Sequence, residues 1–158
     1  MSQVTDEQKM HHYMGIEMNI QTWNLLGKEN RNEQDDVRMV NFARASWYHW
    51  RKSHKYESGN EQRGQWMSSH VHAVLGNGKE ALSYANETSK ITKKQDLKDF
   101  DLAYSYEALA RANAALGNKK ECAKWLEKAQ EAGTLIQREE DKKYFISDLE
   151  SAPWYECK

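Results

Sequence analysis

The chain reads as all-α, a right-handed stack of antiparallel helix hairpins with about seven helices, and three observations lead there. A corner is written twice: Leu75-Gly76-Asn77-Gly78-Lys79-Glu80-Ala81 and Leu116-Gly117-Asn118-Lys119-Lys120-Glu121-Cys122, with Gly76 and Gly117 set 41 positions apart. The likeness extends outward, Ala73 matching Ala114 and Tyr84 matching Trp125. Proline occurs once, at Pro153, so no ring forbids helix upstream. No strand-like alternation persists, whereas apolar residues recur at three and four throughout. A duplicated helix, Gly-Asn turn and helix implies a stack, because one hairpin cannot bury its apolar face alone.

The elements follow in order. Thr5, ahead of Asp6 and Glu7, is a candidate N-cap for a helix reaching Leu26, with the stripe Tyr13, Ile16, Ile20, Trp23, Leu26. A second helix starts near Asn32, where Asp35 completes a capping-box spacing, and turns Val37, Val40, Ala43, Trp47 and Trp50 inward. Four further helices are expected over 61–75, 79–91, 98–116 and 119–132, and a last one over 139–149 carries Tyr144, Phe145 and Leu149. Gly27, Gly59, Gly76, Gly117 and Gly133 read as the breaks between them. Gly76 and Gly117 follow leucine where a left-handed cap favours glycine. The result is one domain over 1–158: an N-terminal helical pair at 5–53, repeat-like units at about 61–91 and 98–132, and a C-terminal capping helix at 139–149.

Composition bounds the function. The formal charge is −1, from 23 basic and 24 acidic residues well mixed, so no field draws nucleic acid or an anionic membrane. With 11% aromatics and near-zero net charge the chain is folded rather than disordered. Cys122 occupies the slot of Ala81 and reads as a small buried filler; Cys157 reads as an exposed thiol. Two cysteines make no disulfide framework, and no signal-peptide core opens the chain, so a reducing, cytoplasmic setting is expected.

Ala103 to Ala129 resembles one tetratricopeptide repeat. Tyr106, Leu109, Ala110, Asn113, Gly117, Cys122, Leu126 and Ala129 fall in its spaced slots, with Asn113, Cys122 and Leu126 as departures. The period of 41 exceeds the usual 34 or so, the excess lying between Thr88 and Asp101. In the first copy Gly76, Ala81 and Ala85 fit, but Gln65, Ser68, Ser69 and His72 stand where apolar residues are wanted, and Met67, Val71, Val74 and Leu75 suggest a rotated helix. The chain also resembles, nearly end to end, a family of small bacterial tetratricopeptide-like proteins, through residues 43–50, 100–104 and 106–112. That resemblance implies the fold and no chemistry.

The repeat resemblance implies a protein-interaction scaffold whose first helices line a concave groove. Its groove-facing positions become Arg63, Trp66 and His70, then Tyr104, Glu107 and Arg111, each set stepping by three then four. Such a strip suits an extended peptide, arginine holding carboxylates and the rings supplying apolar area. Against it stands the plainer expectation that Trp66 and Tyr104 are core.

No metal and no cofactor are expected: His70 and His72 point about 200° apart on a helix, and His-x-x-x-His is absent. No catalytic fingerprint occurs, so the chain reads as non-enzymatic. The alternative is a small-molecule- or metal-binding sensor or enzyme using Tyr48, His49, Trp50, His70 and His72. A homodimer through Trp154 and Tyr155 is the third possibility.

Overall fold

The computed structural model describes residues 2–158, and it contains seven helices: α1 Asp6–Leu26, α2 Glu33–Arg51, α3 Ser58–Val74, α4 Gly78–Lys94, α5 Phe100–Ala115, α6 Lys119–Thr134 and α7 Glu139–Glu150. Among the described residues there is no strand, and no helix is long and apolar enough to cross a membrane.

The helix starts obey local chemistry. Thr5 and Gln8 exchange side chain-to-backbone hydrogen bonds at 3.1 and 3.0 Å. Asn32 and Asp35 do the same at 2.8 and 3.2 Å. Each pair satisfies two amides that a helix start leaves without partners. Asp35 is buried, and the Lys28 ammonium, the Arg38 guanidinium and the Asn32 amide hold its carboxyl well below the ordinary carboxylate range.

Both duplicated corners close in the same way. Gly76 and Gly117 have φ of +79° and +76°. In each, the following asparagine amide bonds five residues back, Asn77 to the His72 carbonyl at 2.8 Å and Asn118 to that of Asn113 at 2.9 Å. This is a Schellman cap, which needs a left-handed residue. Gly78 opens α4 for another reason: a Cβ there would lie 2.7 Å from the Leu116 amide nitrogen, so the first corner seats directly against the end of α5.

Helices adjacent in sequence pack together, and α3 also packs on α5, and α5 on α7. The first helices of successive hairpins thus form an inner layer. α3 and α5 lie at its centre, and α5 is buried at every position from Ala103 to Ala114 except Tyr106. Alanines at 73, 81, 85, 103, 110, 112 and 129 are all but fully buried, which lets the helices approach closely.

Several expectations are corrected. The stripe of α1 faces outward: Tyr13, Ile16 and Ile20 are exposed, and the helix buries His11, Gly15 and Thr22 instead. Small residues win because α1 lies close on α2. Ser46 Oγ donates to the Gly15 carbonyl at 2.7 Å, and a Cβ on Gly15 would lie 2.9 Å from the Trp50 ring. In α2, Val37 is 61% exposed while Met39 and Ala43 form the inner face. Gly59 falls in the first turn of α3, not before it, and Gly133 in the last turn of α6, where its missing side chain admits Phe145.

The cysteines are corrected too. Cys122 is buried as expected, but Cys157 is not a free thiol, because the two form a disulfide. It ties the tail after α7 back to α6 across 35 positions, a separation that carries no spacing motif. In the chain-entropy view such a loop contributes about 4 kcal/mol.

Two outcomes follow for stability. Gly117→Val should lower the melting temperature far more than Val at exposed Lys119, because the left-handed turn is strained for a β-branched residue by roughly 1–2 kcal/mol or more; equal melts would refute the cap. Reduction should lower the unfolding free energy by about 2–4 kcal/mol, and Cys157→Ser should do so without reductant. An unchanged urea midpoint in both would show that the tail is held without the bond.

Candidate functional site

The six residues expected to line a groove lie together on α3 and α5, and they fall into two layers. Arg63 is exposed, while Trp66, His70, Tyr104, Glu107 and Arg111 are buried. The deeper layer is a charge pair. Glu107 and Arg111 sit one turn apart on α5, and the Arg111 Nε donates to Glu107 Oε1. Trp66 Nε1, on α3, donates to the other carboxylate oxygen at 2.8 Å.

Three further Arg111 donors go to the end of the chain. Its terminal nitrogens donate to the carbonyls of Asp148 at 2.8 Å, Ser151 at 3.0 Å and Pro153 at 3.2 Å. The Trp154 ring lies over the guanidinium, 4.0 Å from centroid to carbon. A guanidinium fork distributes such bonds because its donors are planar and fixed. Trp154 Nε1 is itself bonded to the Leu149 carbonyl, and the Tyr155 hydroxyl donates to that of Ala73 at 2.6 Å. Trp154 and Tyr155 therefore cap their own chain. Four of the five Arg111 N–H donors are taken within the chain, and this end of the inner face is filled by the protein's own tail.

His70 stacks on Trp66 at 4.9 Å, with its Nδ1 3.9 Å from Glu107 Oε1. Burial, and then the Arg111 charge, push its pKa down to about 4, so the ring is neutral near pH 7. Tyr104 donates to Asp148 Oδ2 at 2.5 Å, and burial pushes the phenol far up. Asp148 is half-buried and pushed up by burial, against the lowering effect of that hydrogen bond.

Above this floor an open cleft of about 250 Å³ lies between α1, α3, α5 and α7. Trp23, Trp66, Phe100 and Tyr104 form its rings, Asp101 and Asp148 its carboxylates. Arg63 pairs with Asp101, Nε to Oδ1 at 3.1 Å. Asn19, Arg63 and Met67 also border a second hollow of about 240 Å³, walled by Trp47, Trp50 and Gly64, so the two adjoin across these three side chains as an interrupted trough.

Trp23, Phe100, Asp101 and Asp148 were missed by reading the sequence. Asp101 precedes Tyr104 by three and could have been placed on its face. Asp148 sits on the seventh helix, beyond the reach of any local spacing.

The remaining histidines meet in pairs at most, His12 lying beside His54 with ring centroids 5.2 Å apart. His49 Nδ1 meets His11 Nδ1 at 2.8 Å, His72 stacks on Tyr84, and His70 lies in the floor. Among the described residues no group of three or more His, Cys, Asp and Glu side chains is placed to hold a metal ion. Comparison with known protein families, with curated proteins and with solved structures finds no match.

The buried histidine sets a pH dependence. Unfolded, His70 takes up its proton below about pH 6.5; folded, only below about 4. Stability is therefore full above pH 6.5 and falls as pH drops toward 4, by up to about 3 kcal/mol from this residue. His12, His49 and His72, also lowered by burial, add slope of the same sign. In urea melts His70→Gln should shallow the decline between pH 6.5 and 4.5. Parallel curves for the variant and the parent would exclude the linkage.

Proposed function

We propose that this chain is a non-enzymatic helical scaffold, a right-handed tetratricopeptide-like stack, that binds a protein or peptide in the trough along its inner helices. One observation supports the reading above the others: two hollows adjoin across Asn19, Arg63 and Met67, one lined by Trp23 and Trp66 and the other by Trp47 and Trp50. Aromatic walls supply apolar area with little side-chain entropy to lose, the usual make-up of binding hot spots. In this reading Arg63, Trp66 and Tyr104 border the occupant, and His70, Glu107 and Arg111 act from beneath as the fixed floor.

The arrangement favours binding over chemistry. Glu107 and Arg111 are consumed by one another and by the tail, and the Tyr104 proton is held by Asp148. The cytoplasmic setting suggested by the cysteine pattern is weakened by the Cys122–Cys157 bond, since cytosolic thiols are kept reduced. The trough reading does not depend on the compartment, because the bond holds the tail and not the cleft. Trp154, the anchor expected for a homodimer, is spent within the chain.

Peptides selected from a random phage-displayed library on the immobilised protein test this. Synthetic copies should bind, and Trp23→Ala with Arg63→Ala should weaken them at least tenfold while the melting temperature holds. Undiminished binding to that double variant would move the site elsewhere.

A further inference from the structure

We propose that the cleft between α1, α3, α5 and α7 is a receptor for a lysine side chain, its alkyl stem lying along Trp23, Met67 and Phe100 and its ammonium reaching Asp148. The inference rests on the peptide-binding reading and names the occupant's chemistry.

Charge complementarity is the first argument. The cleft wall carries three charges, Arg63, Asp101 and Asp148. Arg63 and Asp101 cancel one another at 3.1 Å. Among the described residues Asp148 has no cationic side-chain partner: the Arg111 guanidinium meets its backbone carbonyl, and its one side-chain hydrogen bond comes from Tyr104. A half-buried carboxylate without a counter-charge is an unfavourable feature that an incoming cation would relieve. Burial, and then the charge of Glu107, push its pKa up against the Tyr104 hydrogen bond and the Arg111 charge.

Shape and acceptor geometry choose among cations. The surface that the cleft exposes is mainly apolar, with four rings and a methionine among its lining, which suits a chain of methylenes ending in a charge. Ring faces also attract an ammonium directly. With Oδ2 taken by Tyr104, Asp148 offers one free oxygen. A single acceptor suits the point charge of an ammonium, whereas a guanidinium fork wants both oxygens.

Quenching of tryptophan fluorescence, with calorimetry as a second readout, tests this on the full chain. The probes are Ac-Ala-Lys-Ala-amide and its norleucine, arginine and glutamate counterparts, together with n-butylamine. The lysine peptide should bind at least tenfold more tightly than the norleucine peptide and several-fold more tightly than the arginine one. Asp148→Asn, which keeps an acceptor for Tyr104, should erase that preference, whereas Glu150→Gln, an equal charge change at the exposed end of α7, should preserve it. Preference for norleucine or glutamate, or a lysine preference surviving Asp148→Asn, would overturn the cationic occupant and leave the trough standing. Binding of n-butylamine as tightly as the peptide would assign the cleft to free amines and overturn the lysine side chain as source. If no probe binds at millimolar concentration while library-selected peptides do, the lysine receptor fails and the peptide trough survives; if neither binds, both fail.

Discussion

The buried pair of Glu107 and Arg111 is the constraint on which the rest of the molecule is built. Two charges taken out of water are tolerated only when every donor and acceptor finds a partner, and stripping one of them from such a pair typically costs about 3–5 kcal/mol. Here the partners come from three separate parts of the chain: Trp66 on α3, the carbonyls that end α7, and the ring of Trp154. Satisfying one guanidinium therefore fixes where α7 lies and where the tail turns. The disulfide then fastens that tail from its other side, to α6. An apolar pair of similar volume could fill the space, but it would not dictate which carbonyls come to it.

That placement produces the cleft. By drawing the end of α7 against α5, the pair brings Asp148 beside Tyr104 and closes one side of a slot whose other side is α1. The polar interior of α3 follows from its position at the centre of the inner layer. Gln62 donates to the Asp101 carbonyl and to Thr92, and Ser69 donates to the Ala81 carbonyl, so side chains that look misplaced for a core knit neighbouring helices together. Small hydroxyls and amides in these places permit a closer approach than leucines would.

Much of the framework was legible because it depends on short-range chemistry. Gly76 and Gly117 must be left-handed, and both are; Thr5 and Asn32 stand where helix starts need acceptors, and both cap. The all-helical content follows from periodicity alone. What could not be read depends on contacts between distant segments. The apolar stripe of α1 obeys helical spacing yet faces outward, because Gly15 allows closer packing on α2 than an isoleucine would and His11 meets His49 across that interface. The step from Trp66 to His70 correctly put them on one face, but whether the inner face was open or covered was decided by distant rings, Trp23 lying 6.1 Å from both and Trp154 lying over Arg111. The bond between Cys122 and Cys157 was invisible for the same reason.

One asymmetry of the stack has a mechanical meaning. α1 leans chiefly on α2 and meets α3 through the ring of Trp23, 6.1 Å from that of Trp66, whereas α3, α4 and α5 are packed on one another along their lengths. The N-terminal hairpin is thus the jaw with the shallower seat, the kind of unit whose backbone amides exchange with solvent through local opening well below the global unfolding energy. Anything held in the slot touches that jaw and the rigid centre at once. Occupancy would then enlarge the cooperative core from five helices to seven, and the molecule would register its guest as a slowing of amide exchange in α1 and α2 rather than as a change of shape.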